Sequence, residues 1–104
     1  MKLPCPITRS ELDQLSVSLE NLIEDAPDAS AAGNAVSALE KFNALRSDIT
    51  PDELTASKIA LQYDLNIFEA AVKHGLPAKK RLKFEKCIRD IRSLLHKFLY
   101  ASFE

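Results

Sequence analysis

The sequence predicts an all-α fold: an antiparallel bundle of about four helices, over 10–25, 29–47, 51–74 and 78–101, in a single domain preceded by a Pro-rich arm at 1–9. Three observations point there. Only two glycines stand among 104 residues, which leaves little of the punctuation that strands and hairpins need. Leu, Ala, Lys and Glu dominate, and these are good helix formers. Apolar residues also recur at helical spacing between cap and breaker signals.

Ser10 reads as the N-cap of the first helix, with Glu11 and Asp13 in its first turn and Leu12, Leu15, Leu19 and Leu22 on its core side. Pro27 ends it and biases Ala26 away from helix. The second helix starts near Asp28 or Ser30, with Val36, Leu39, Phe42 and Leu45 facing the core. Its alanines (Ala29, Ala31, Ala32, Ala35, Ala38) allow a neighbour to approach closely. Thr50-Pro51-Asp52-Glu53 is the clearest start in the chain: a hydroxyl cap, a proline at the first helical position, and an acid that reaches back to the cap. Leu54, Leu61, Leu65, Phe68 and Val72 follow on one face, Gly75 is placed as a left-handed C-cap, and Pro77 forbids continuation. The fourth helix carries Phe84, Ile88, Ile91, Leu95 and Phe98 at 4-3-4-3 spacing, flanked by Cys87 and Leu94.

The lengths do not match. At 1.5 Å per residue the first helix spans roughly 24 Å and the last two roughly 35 Å, so the shorter pair cannot cover the longer one. Either the tail folds back or a second copy covers the remainder, and a homodimer is expected on that ground.

A hydrophobic fraction of 46% with 28% charged residues is globular rather than disordered composition. No apolar run approaches the length of a membrane span, and Met-Lys-Leu-Pro-Cys-Pro lacks the apolar core of a secretory signal, so a cytoplasmic protein is expected. Two cysteines, Cys5 and Cys87, make no disulfide framework. A single bridge stays open, but reduced thiols are the simpler reading.

The net charge of −1 hides a polarity. Residues 1–72 carry five basic and twelve acidic side chains; residues 73–97 carry nine Lys or Arg and two His against Glu85 and Asp90. On a wheel at about 100° per residue, Arg89, Arg92 and His96 line one edge of the fourth helix's apolar arc. Lys79, Lys83, Lys86 and Lys97 project from the other side, and Lys80 and Arg81 crowd the first turn, against the helix dipole. The simplest account is a solvated face, paired with the acidic first helix or across a dimer. An acidic protein surface is the functional account. Nucleic acid comes behind it, because the rest of the chain is acidic and only Tyr100 lies near the basic edge for stacking.

Motifs of chemistry are sparse. Arg89 and His96, seven apart, resemble the Arg-x(4–6)-His spacing of the HEPN ribonucleases, which implies phosphate binding by the arginine and proton transfer by the histidine. The match spans eight residues and the family is not assigned. Ile59 to Asn66 is similar to the first half of a helix-turn-helix reader, but Asp64 stands at the turn glycine and continuous heptad spacing explains the segment better. Cys87 and His96 lie roughly 13 Å apart along one helix, too far for a nucleophile and base. His74 suits a helix C-terminus. The scattered Cys and His do not make a zinc set.

The expectation is therefore a small non-enzymatic protein of antiactivator, inhibitor, immunity-protein or chaperone type, with no catalytic residues, metal or cofactor. Its partner would be a protein with an acidic surface, bound through Lys79, Lys80, Arg81, Lys83, Lys86, Arg89 and Arg92. A nucleic-acid-binding regulator is the alternative, with an HEPN-like ribonuclease third.

Overall fold

A computed structural model describes residues 1–26 and 28–103, with the side chains of Ala29, Ser30 and Ala31 outside the description. Four helices stand among them: α1 (Arg9–Asp25), α2 (Ala29–Asn43), α3 (Pro51–His74) and α4 (Ala78–Leu99). α1 and α3 pack on each other, while α2 and α4 flank this central pair. The core holds Leu15, Leu19, Ala35, Ala38, Phe42, Leu61, Ile91, Leu94 and Phe98, all at 5% exposure or less. None of these helices is long and apolar enough to cross a membrane.

Several boundaries differ from expectation for local reasons. The cap of α1 is Thr8, not Ser10: the Thr8 hydroxyl accepts from the Glu11 N–H at 3.2 Å, and Glu11 accepts from the Thr8 N–H at 2.8 Å. Ser10, freed from capping, donates to Asp90 on α4 at 2.7 Å. α2 ends at Asn43 rather than 47, because the chain turns at Leu45, a non-glycine residue at φ 57°. Leu45 is thus 81% exposed, and Val36 is 38% exposed; neither faces the core as the periodicity suggested. α4 stops at Leu99, since Lys2 and Ser102 exchange backbone hydrogen bonds at 2.8 and 2.9 Å and draw the tail into a bridge with the arm. Gly75 follows α3 at positive φ, 92°, but its ψ of 131° is extended rather than left-handed helical.

A repeat underlies the bundle. Ile7-Thr8-x-x-Glu11-Leu12 returns forty-two positions later as Ile49-Thr50-x-x-Glu53-Leu54. Each motif opens a helical hairpin with the same capping box, and the distances in the second box, 3.2 and 2.8 Å, equal those in the first. Each hairpin also ends its second helix on a Lys-Phe pair, Lys41-Phe42 and Lys97-Phe98. Lys41 donates to Glu53 at 2.8 Å and to the Asp48 carbonyl at 2.9 Å; Lys97 donates to Glu11 at 2.5 Å and to the Pro6 carbonyl at 2.8 Å. Phe42 meets Phe98 with ring centroids 5.9 Å apart. The lysine of each hairpin thus binds the cap of the other, the reciprocity a two-fold axis produces.

The hairpins differ in length. α3 and α4 are each seven residues longer than α1 and α2, with three-residue connections in both hairpins. Aligned from the capped end, the extra residues are 68–74 and 78–84, about 10 Å of helix on each strand of the hairpin. Burial falls away toward this extension. Leu54, Leu61, Leu65, Ile88, Ile91, Leu94 and Phe98 are buried, but Phe68, Val72 and Phe84 are only partly covered and Leu82 is 68% exposed. The arm and tail cover the opposite end, where Met1, Leu3, Ile7 and Ala101 pack on the core.

The two lysine locks have matched surroundings, so their removal should cost alike. Lys41→Met and Lys97→Met each leave a buried glutamate without its cation and should each lower stability by about 3 kcal/mol in urea titration; a large inequality would refute the equivalence. Burial alone would raise the Glu53 carboxyl, but hydrogen bonds from Lys41, Ser37 and Thr50 prevail and hold it at about 2, against an ordinary 4.5. Glu11 is lowered in the same way: Lys97, Ser93 and Thr8 outweigh its burial. A depressed folded-state pKa gives stability that is fully present above the unfolded value and lost as pH falls through the folded one. Unfolding midpoints should therefore drop between pH 4.5 and about 2, and Glu53→Gln should flatten that drop.

Candidate functional site

The extension collects most of the expected contact residues. Lys79, Lys80, Arg81 and Lys83 lie in it, and Lys86, Arg89 and Arg92 continue along α4; all seven are exposed. They are not electrostatically equivalent. Arg81 pairs with Glu85 at 3.0 Å one turn on, and Arg92 reaches Glu69 on α3 at 3.3 Å. No carboxylate among the described residues lies within ion-pairing distance of Lys79, Lys80, Lys83, Lys86 or Arg89. The acidic face of α1 does not neutralise this row. Lys97, expected on the same exposed side, instead turns inward to Glu11 and the Pro6 carbonyl.

The start of α4 strengthens the positive field. Its cap, Pro77, supplies no side-chain acceptor to the first N–H groups, so the positive end of the helix dipole adds to the lysines around it. On the core side, Phe84, Cys87, Ile91, Leu94 and Phe98 recur at 3-4-3-4 spacing, and one step further toward the tip the same seam reaches Lys80. The apolar seam of the bundle thus becomes cationic where the shorter hairpin ends.

Beside the row, α3 and α4 enclose an open groove of about 610 Å³. Val72, Leu82 and Ile88 form its apolar lining, and Lys73, Arg89 and Arg92 face Glu69 and Glu85 along it. Phe68 and Phe84, with ring centroids 5.1 Å apart, tie the two helices together within the extension. A second, apolar cleft of about 440 Å³ lies beneath the arm, between Leu3, Ile7, Leu12, Phe42 and Leu45.

The weaker motifs gain little. Arg89 lines the groove, while His96, two helical turns on, does not line it and stacks edge-on against Tyr100 at 5.1 Å. α3 runs unbroken through Asp64, which removes the helix-turn-helix reading. Asp64 itself is buried and accepts from Ser18 at 2.7 Å and Asn21 at 3.4 Å, with Gln14 donating to Ser18 at 3.1 Å. This polar cluster had no sequence signal beyond one charge on an otherwise apolar seam. Burial, followed by the nearby Asp90 carboxylate, pushes the Cys87 thiol up and away from thiolate chemistry. No cluster of metal-ligating side chains occurs among the described residues.

The class that fold and site define is a four-helix bundle with a cationic, apolar-floored hairpin tip. No known protein family matches this chain, and comparison with curated proteins and with solved structures finds no similar chain.

Cys5 is exposed, Cys87 is partly buried, and both are free thiols. A disulfide-exchange reagent should label Cys5 in the native protein well before Cys87, with Cys87 released on unfolding. Equal native rates would contradict the packing of α4.

Proposed function

We propose that this protein is a non-enzymatic interaction module of regulatory type that captures a protein partner bearing an acidic surface. The observation that carries the reading is the row of Lys79, Lys80, Lys83, Lys86 and Arg89, which has no ion partner among the described residues although twelve carboxylates lie in residues 1–72. Surface charges left unpaired in one patch steer association and add specificity more than they add stability. An antiactivator, inhibitor, immunity protein or chaperone would use such a face. On this reading the protein works in the cytoplasm with both thiols reduced.

The reading includes a homodimer, and charge keeps it away from the tip, because two cationic rows would repel. The surface assigned to a second copy is the uncharged stripe of Ile59, Tyr63 and Ile67 on α3, each about half exposed. A phosphate ligand is less favoured: Glu69 and Glu85 stand among the cations, and the remaining surface is acidic.

Affinity capture from native lysate tests the reading. Lys79→Glu, Lys83→Glu and Lys86→Glu together change only exposed positions, so the helical circular-dichroism spectrum should persist while capture of the specific partner falls at least tenfold. Capture equal to wild type would remove the row from the interface. Micromolar, salt-sensitive anisotropy changes with labelled DNA or RNA would move the function to nucleic acid.

A further inference from the structure

The charge of the tip is one half of its chemistry; the other half is the uncovered apolar surface beneath it. We infer that the occupant of the groove between α3 and α4, at the extension and the turn next to it, is an acidic amphipathic helix of the partner protein, which lays apolar side chains on Val72 and Leu82 and presents carboxylates to Lys73 and Arg89. The inference rests on the protein-binding reading above and specifies its ligand.

The repeat carries the argument. In the matched part of the molecule, each hairpin is covered by the other: Leu15 and Leu19 of one and Leu61, Ile91 and Leu94 of the other are wholly buried. The extension is the part of the second hairpin with no counterpart in the first, so the bundle has no layer to place on it. Phe68, Val72 and Phe84 are left partly covered, and Leu82 stands 68% exposed among lysines. The piece that would complete the layer is more helix, apolar on one side.

Charge decides which helix. Lys80 occupies the next seam position beyond Phe84, and Lys73, Lys79 and Lys83 surround the same end. A second copy offering its own extension would bring like charges together. A purely apolar helix would leave the ammonium groups to be desolvated without partners, which is costly. An acidic helix satisfies both the floor and the rim. Glu69 and Glu85 do not oppose it strongly, because Arg92 and Arg81 already neutralise them at 3.3 and 3.0 Å. A nucleic-acid strand would use the cations and leave the apolar lining idle.

The test uses full-length protein and synthetic peptide probes. One labelled peptide of about 18 residues carries Leu at i, i+3, i+4 and i+7 positions with Glu elsewhere; the second has the same composition in scrambled order; a DNA oligonucleotide of similar charge is the third probe. The amphipathic peptide should bind at least tenfold more tightly than the scrambled one. Leu82→Glu, at an exposed position, should weaken it tenfold or more, as should Lys80→Glu with Lys83→Glu. Backbone amide shifts on peptide addition should concentrate in residues 68–92. Equal binding of the two peptides, shifts elsewhere, or tighter binding of the oligonucleotide would each overturn the inference. If charge reversal abolishes lysate capture while peptide order makes no difference, the interaction reading stands and the helical ligand falls.

Discussion

Everything else in this fold depends on two lysines that neutralise buried glutamates across the hairpin interface. Glu11 and Glu53 are almost fully buried, and a carboxylate in that position destabilises the fold unless it is paired and hydrogen-bonded. Each is satisfied by its own capping threonine and by a lysine from the other hairpin. Capping, which is local, is thereby joined to docking, which is not. A helix start that lost its cross-hairpin lysine would keep its box but hold an uncompensated charge. Phe42 against Phe98 fills the space behind the pair of locks, so polar and apolar terms enforce the same register at one end of the molecule.

Fixing one end leaves the other free to change length. Seven residues are nearly two turns, so inserting seven into each helix of a hairpin returns every side chain to almost the same face, with a drift of about 20°. The core positions nearer the locks keep their alignment whatever happens at the tip. A longer second hairpin is therefore compatible with an undisturbed core, and the molecule's extents of 44 × 32 × 20 Å show the resulting elongation. The interior also tolerates one polar cluster near the middle, where Asp64 meets Ser18 and Asn21. Those directional bonds tie α1 to α3 at a height that apolar packing alone would specify less sharply.

Much of the fold was legible in the chain because caps and breakers are local. Thr50-Pro51-Asp52-Glu53 and Pro77 place α3 and the start of α4 without reference to any neighbour. Ser10 misled because Thr8 and Ser10 are both acceptable caps, and the choice between them is made by Glu11, which can serve only Thr8 three residues earlier. Leu45 and Val36 misled because periodicity cannot see that α2 ends at Asn43 or which flank faces solvent. The charge row was legible as composition; its lack of ion partners among the described residues was not, since α1 carries enough carboxylates to have neutralised it. Lys97 shows the same limit from the other side, reading as one more surface charge until α1 is placed beside it. The repeat did have a signal, in Ile-Thr-x-x-Glu-Leu and Lys-Phe, but it spans few residues and becomes unmistakable only when the reciprocal lysine bonds are seen.

The extension works against its own stability. Lys79 and Lys83 stand four positions apart on α4, where like charges repel by a few tenths of a kcal/mol. Lys80 and Arg81 sit against the positive end of the helix dipole, and Pro77 offers no side-chain acceptor to relieve it. Leu82 presents apolar surface to water among them. A hairpin end selected for folding alone would carry acids in the first turn of α4 and polar side chains at the lip, as the acids in the first turn of α3 illustrate. Each departure is small, but all occur within the one segment the core does not require. On the proposed reading, concentrating unfavourable local terms where the fold can bear them is how a stable scaffold supports a surface whose energetics a partner would complete.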